Sequence, residues 1–303
     1  MAYSFHKGEK SRYRVEMGQD VHMDVGGGTE NLPGPVPTAI HQAVTLDFLH
    51  TIRAVEANSA ARVLAKVGDV SLVNDMGSQK LELSIQNGKV TQKMNGETSP
   101  SGSRDAEVMM KAVFQQSTEL RLARNGKILS TSRSKSQQPG GLQDPLGIGG
   151  VMGSGTGGYG TLILPNRPVR VGDTWKDIQT LDLPAPSSAD PRKMTKSRLT
   201  IRTDYRLKEV VERNGRRLAL IESELVGSFG GDAGAGATRL QSVSLRSKGT
   251  TEFDIVGGFV AAGQYATEYK MASEMGAPMG GGGPRGPASM NMTATGTMKL
   301  SRL

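Results

Sequence analysis

Between residues 199 and 207, Leu199, Ile201, Thr203, Tyr205 and Leu207 fall on one parity, and Thr200, Arg202, Asp204 and Arg206 on the other. Successive side chains of a β-strand point to opposite faces, so this run predicts a strand with one face buried and one in water. The same alternation opens the chain. Tyr13, Val15, Met17, Val21, Met23 and Val25 share one parity, while Arg14, Glu16, Asp20, His22 and Asp24 share the other. It recurs through Val44, Leu46, Phe48 and Ile52, through Val63, Ala65 and Val67, and through Leu81, Leu83 and Ile85. In the second half it returns at Ala219, Ile221, Ser223 and Leu225, at Tyr265, Tyr269 and Met271, and at Met290, Met292, Met298 and Leu300. Asn87-Gly88 predicts a tight type I′ hairpin, and Asn125-Gly126, Asn214-Gly215 and Gly257-Gly258 are further turns. One segment breaks the period. Ala106, Met109, Met110, Val113 and Phe114 are spaced as on an amphipathic helix, with Ser103 as N-cap and acidic residues in its first turn.

These elements predict a mainly β protein (α+β at most), with long antiparallel curved sheets in two related lobes and one amphipathic helix. The expected division is an N-terminal β lobe over 1–134 with the helix near 104–116, a Gly/Ser/Pro-rich connector over 135–160, and a C-terminal β lobe over 161–303. Laid side by side, 40–73 matches 197–229 and the hairpin 81–94 matches 252–265, which suggests an internal duplication.

Composition narrows the function. No apolar run approaches the roughly 20 residues of a membrane-spanning helix, so an integral membrane protein of that kind is not expected. With no cysteine, disulfides, thiol catalysis and zinc-thiolate sites are excluded. The net charge is +8, and ten Lys/Arg against three acids lie between Arg192 and Arg217. On alternating strands such charges form the solvated face; the sharper alternative is a surface for an anionic polymer or lipid headgroups. No aromatic stacking platform or recognition helix accompanies them, so specific nucleic-acid recognition is not expected.

The candidate chemistry is sparse. The glycines from Gly147 to Gly158 lack the Lys-Ser/Thr and the helix of a phosphate loop. Asp20, His22 and Asp24 share a strand face, as ordinary surface polar residues do. His50 falls on the apolar parity between Phe48 and Ile52. No Gly-x-Ser-x-Gly elbow or His-Glu-x-x-His is present. The reading is therefore no catalytic residue, no metal site, no cofactor and no enzyme. Methionines crowd the inward parity instead: Met17, Met23, Met94, Met109, Met110, Met271, Met290, Met292 and Met298. Flexible thioethers fill irregular cores and also line adaptable apolar pockets, so Met17, Met23, Met109, Met271 and Met292 are the ligand-binding candidates.

The string Leu164-Pro-Asn-Arg-Pro-Val-Arg-Val-Gly-Asp-Thr-Trp175 resembles the LP-x-x-PV-x-VGD-x-W segment of a family of uncharacterised bacterial exported β-rich proteins and lipoproteins. Lys7-Gly8-Glu9 with Tyr13 is similar to that family's opening, and Glu119–Leu122 with Asn125–Ile128 to its central hairpin. The resemblance implies an extracytoplasmic protein of the periplasm or cell envelope, although Met1–Lys7 shows no apolar signal region. It supplies no activity and no catalytic residues. The only tryptophan, Trp175, is expected to anchor the segment to the core. Together these readings predict a non-enzymatic binding or envelope scaffold protein, holding a lipid or other apolar ligand in a curved sheet. The alternative is an interaction module that meets an envelope protein or anionic polymer through exposed strands and a basic face.

Overall fold

The computed structural model describes residues 1–26, 39–98, 117–133, 162–186, 194–230, 238–275 and 288–303. Their regular structure is entirely β, in fourteen antiparallel strands. In chain order these are β1 (Lys10–Gly26), β2 (Ala39–Val55), β3 (Ala61–Asp75), β4 (Lys80–Gln86), β5 (Lys89–Met94), β6 (Glu97–Thr98) and β7 (Ser117–Leu122). They continue as β8 (Ile128–Arg133), β9 (Thr174–Pro186), β10 (Met194–Arg213), β11 (Arg216–Gly230), β12 (Thr238–Asp254), β13 (Phe259–Met275) and β14 (Ala288–Arg302). The expected helix near 104–116 and the connector over 135–160 lie outside the described residues. Among the described residues no helix is long and apolar enough to cross a membrane.

All fourteen strands belong to one sheet, ordered β6-β5-β4-β3-β2-β1-β14-β13-β12-β11-β10-β9. The strands of 1–134 and of 161–303 are continuous where β1 pairs β14, from Tyr13↔Arg302 to Gly26↔Ser289. At β3 the sheet forks. Val70–Asp75 pairs β4, whereas Ala61–Lys66 pairs β7, which continues into β8.

The two ends of the long strands differ. At one end the connections are tight. Asn214-Gly215 joins β10 to β11 with φ near +51° and +71°, the left-handed pair of a type I′ turn. Glu56–Ala60 joins β2 to β3, and Ile255–Gly258 joins β12 to β13, where the Asp254 carboxylate accepts the Val256 and Gly257 amides. At the other end lie the strand termini Gly26, Ala39, Pro186, Met194, Gly230, Thr238, Met275 and Ala288.

The core sits toward the tight-turn end, on the inner face. Val15, Val44, Leu46, Phe48, Leu72 and Ile85 come from one flank, and Tyr205, Leu207, Ile221, Phe253 and Val260 from the other, yet all join a single buried cluster. The sheet therefore bends until its flanks share one core. Leu162, Ile163 and Leu164 lie in the same cluster, at 4%, 6% and 1% exposure. They form a strap. The Leu164 amide donates to the Asn125 carbonyl in the β7–β8 turn at 2.8 Å, and Trp175 Nε1 of β9 donates to the Ile163 carbonyl at 2.7 Å. The Tyr3 hydroxyl donates to the Leu162 carbonyl at 2.9 Å. A buried apolar segment with its backbone groups bonded to both flanks closes the sheet at this end.

Candidate functional site

Register converts the alternation of single strands into rows that cross the inner face. The lowest full row runs Leu83–Leu72–Val44–Met17–Met298–Tyr265–Gly249–Ser223–Tyr205–Trp175. It is the upper layer of the core. Tyr265 lies over Gly249, where any β-carbon would overlap its ring, and its hydroxyl meets Thr251 Oγ1 at 2.6 Å. Trp175 stacks on Tyr205, with ring centroids 5.5 Å apart and planes 14° from parallel. Burial pushes the Tyr205 hydroxyl up to about 12 and raises those of Tyr265 and Tyr3. These phenols stay neutral at ordinary pH, where they serve as hydrogen-bond donors rather than nucleophiles.

The next row is polar: Asn74–Gln42–Gln19–Gly296–Thr267–Ser247–Leu225–Thr203–Asp177. Ser247 and Thr267 bond side chain to side chain at 3.2 Å, and Gln179 Nε2 donates to Asp177 at 2.9 Å. Asn74 Oδ1 is buried with no hydrogen-bond partner.

Beyond this belt the inner face turns apolar again. One row is Ile40–Val21–Ala294–Tyr269–Leu245–Gly227–Ile201, and the next is Met23–Met292–Met271–Val243. Val21, Ala294 and Ile201 are buried, but Ile40, Met23, Met292, Met271, Val243, Tyr269 and Leu245 are only half-buried. Burial still raises the Tyr269 hydroxyl. Met290 follows on β14, beside Ser273, whose hydroxyl is buried without a partner. The site is thus a half-buried apolar surface on the inner face above the core, separated from it by a belt rich in amides and hydroxyls.

Of the methionines singled out in the sequence, the register brings Met23, Met271 and Met292 together as direct cross-strand neighbours on β1, β13 and β14. Met17 belongs to the core layer, opposite Met298. Met109 lies outside the described residues. Met94 shares the inner parity but is 42% exposed at the β5 margin. Reasoning from strands taken singly missed the polar belt, the Tyr269 and Leu245 contribution and the strap. Register is the missing information, and in one chain it shows only after the strands are paired.

The outer face is charged, and several of its cations pair with carboxylates. Lys176, Asp204, Glu224 and Lys248 face one another across four strands. Arg202 pairs with Asp204 at 2.8 Å, Lys208 with Glu222 at 2.9 Å, Arg213 with Glu252 at 2.9 Å and Lys248 with Glu224 at 3.1 Å. Asp20 pairs with His41 at 2.7 Å, while His22 and Asp24 stand exposed. Among the described residues no cluster of three His, Asp, Glu or Cys side chains could hold a metal ion. His50 lies beside the Tyr13 ring, and burial pulls its imidazole down to about 4, so it stays neutral above that pH.

The chemistry this arrangement offers is apolar contact and thioether donation on the inner face, with amide and hydroxyl groups at its floor. Set against known proteins, the chain matches no family model and no curated protein.

Proposed function

We propose that this protein is a non-enzymatic binding protein of the cell envelope that holds a lipid or other apolar ligand against the inner face of its curved sheet. The observation that carries the reading is the half-buried apolar surface of Met23, Met271, Met292, Tyr269 and Leu245 above a core that is already closed by the strap. Side chains of the core face are ordinarily covered, and a contiguous apolar surface left partly open on a concave wall is a common mark of a binding site. Each methylene of an acyl chain laid there would contribute about 0.8 kcal/mol. The belt of Gln19, Gln42 and Asn74 offers amides to a polar end of the ligand, and Met side chains adapt to chains of different shape. The extracytoplasmic placement rests on the resemblance of residues 164–175, with the opening at Lys7–Tyr13 and the hairpin at Glu119–Ile128. The alternative, contact with an anionic polymer, is disfavoured because Arg202, Lys208, Arg213 and Lys248 of the outer face each already pair with a carboxylate.

Native mass spectrometry of gently purified protein, repeated after solvent extraction and after adding back a long-chain fatty acid or a phospholipid, tests the reading. A reproducible extractable mass near one per chain is expected. A clean apo mass that neither lipid changes would sink it.

A further inference from the structure

The row Met23–Met292–Met271 has a property that apolar packing does not use. Three sulfur atoms on three adjacent strands occupy one cross-strand level, with Met292 in the middle and directly opposite both others. Neighbouring strands lie about 4.8 Å apart, so the outer two backbones stand roughly 10 Å from each other. Three rotatable bonds let each thioether swing toward Met292. Met290, two residues along β14, adds a fourth thioether on the same face. All four side chains are half-buried, so an ion can reach them. Carboxylates and imidazoles are absent from this row; His22 and Asp24, which flank Met23 on β1, take the opposite, exposed parity.

We propose that Met23, Met271 and Met292, with Met290 in reserve, form a binding site for a soft monovalent cation, namely Cu(I). Thioethers are neutral and polarisable, and ligand softness selects Cu(I) over the harder divalent ions, which prefer imidazole, carboxylate or water. A site without titratable ligands releases no proton on binding. Its affinity is therefore flat with pH, in contrast to thiolate or imidazole sites, where protons compete. This inference does not rest on the lipid-carrier reading. Met→Leu substitution separates the two, because Leu keeps the apolar surface and roughly the volume while removing the sulfur.

The test is anaerobic titration of the whole protein with Cu(I), held reduced by ascorbate, against a chromogenic Cu(I) chelator at pH 4.5 and pH 7. The wild type is expected to retain one Cu(I) per chain with the same affinity at both pH values. The triple variant Met23→Leu, Met271→Leu, Met292→Leu is expected to lose at least the roughly 100-fold that a disturbed outer-shell partner alone can cost a metal site. The double variant Met17→Leu, Met298→Leu, which alters a facing pair in the core layer, is expected to bind as wild type. Should circular dichroism show the triple variant unfolded, the single Met292→Leu change at the centre of the row carries the test, with a weakened site expected. Failure of the wild type to compete with the chelator overturns the proposal. Undiminished binding by the folded triple variant, or by Met292→Leu, overturns it equally.

Discussion

Replacing Leu164 by alanine tests whether the strap is structural or merely lies against the sheet. Leu164 is 1% exposed and belongs to the cluster that joins both flanks. The change removes about three buried carbons, ~2.4 kcal/mol at ~0.8 kcal/mol per methylene. A cavity term adds to this, because the surroundings can collapse only partly. The neighbouring backbone is pinned at Leu162, Ile163 and Leu164 by Tyr3, Trp175 and Asn125. The total expected is about 3–5 kcal/mol, the upper part of the range for buried Leu→Ala changes. Urea unfolding reads it in two ways: by far-UV circular dichroism for the whole sheet, and by fluorescence of Trp175, the only tryptophan, which bonds the strap directly. Both midpoints should fall together. Leu129→Ala, at a residue 44% exposed on β8, should cost under about 0.5 kcal/mol. A loss under about 1 kcal/mol for Leu164→Ala would refute the argument that the strap completes the core. A fluorescence transition well ahead of the circular dichroism one would show that the strap opens independently of the sheet.

Two further outcomes follow from the geometry. Gly249→Ala places a methyl group into the Tyr265 ring and the Gln264 carbonyl; a destabilisation of about 1–3 kcal/mol in the same urea assay is expected, and Tyr265→Ala in the same chain should relieve the overlap with the ring while leaving that with the backbone carbonyl. Asp47 is 3% exposed and accepts from Arg14 at 2.8 Å and Arg12 at 2.6 Å, and the Arg14 hydrogen bond, followed by that of Arg12, holds its carboxyl below the usual range against the opposing effect of burial. A depressed folded-state pKa stabilises above the unfolded value of about 3.9 and is lost as pH falls below it, so Asp47→Asn should flatten the stability profile of the wild type between about pH 5 and pH 2. An unchanged acid limb would show that the two arginines, each about half-exposed, contribute nothing measurable through this pair.

The alternation of apolar and polar residues was enough to locate most strands, because each long strand keeps one wet face and one dry face. The Asn-Gly pairs at 87–88 and 214–215 were equally readable, since both residues must adopt positive φ there. Asn95-Gly96 obeys the same rule and joins β5 to β6. β9 was harder. Its exposed face carries Ile178 at 57% exposure and its inner face carries Asp177 and Gln179, so an edge position inverts the expected pattern. The strap was hidden for another reason: Leu162-Ile163-Leu164 is three apolar residues with no period, and its burial comes from two distant flanks. For the site, sequence parity singled out Met23, Met271 and Met292 as inward, but their adjacency comes from register between strands far apart in the chain.

The pairing of β1 with β14 has a kinetic consequence. Glu9 and Arg302, 293 positions apart, bond beside this seam, and the seam lies in the middle of the sheet rather than at a margin. Until residues 288–302 emerge from the ribosome, the strands that become its central members, β1 and β13, each display a raw edge with an apolar inner face. Such contacts close late and slowly, because the entropy of bringing distant segments together precedes any gain from them. During that interval the half-built sheet is a template for pairing with other chains. Folding yield should therefore depend on protein concentration and on chaperone protection far more steeply than the stability of the finished sheet would suggest.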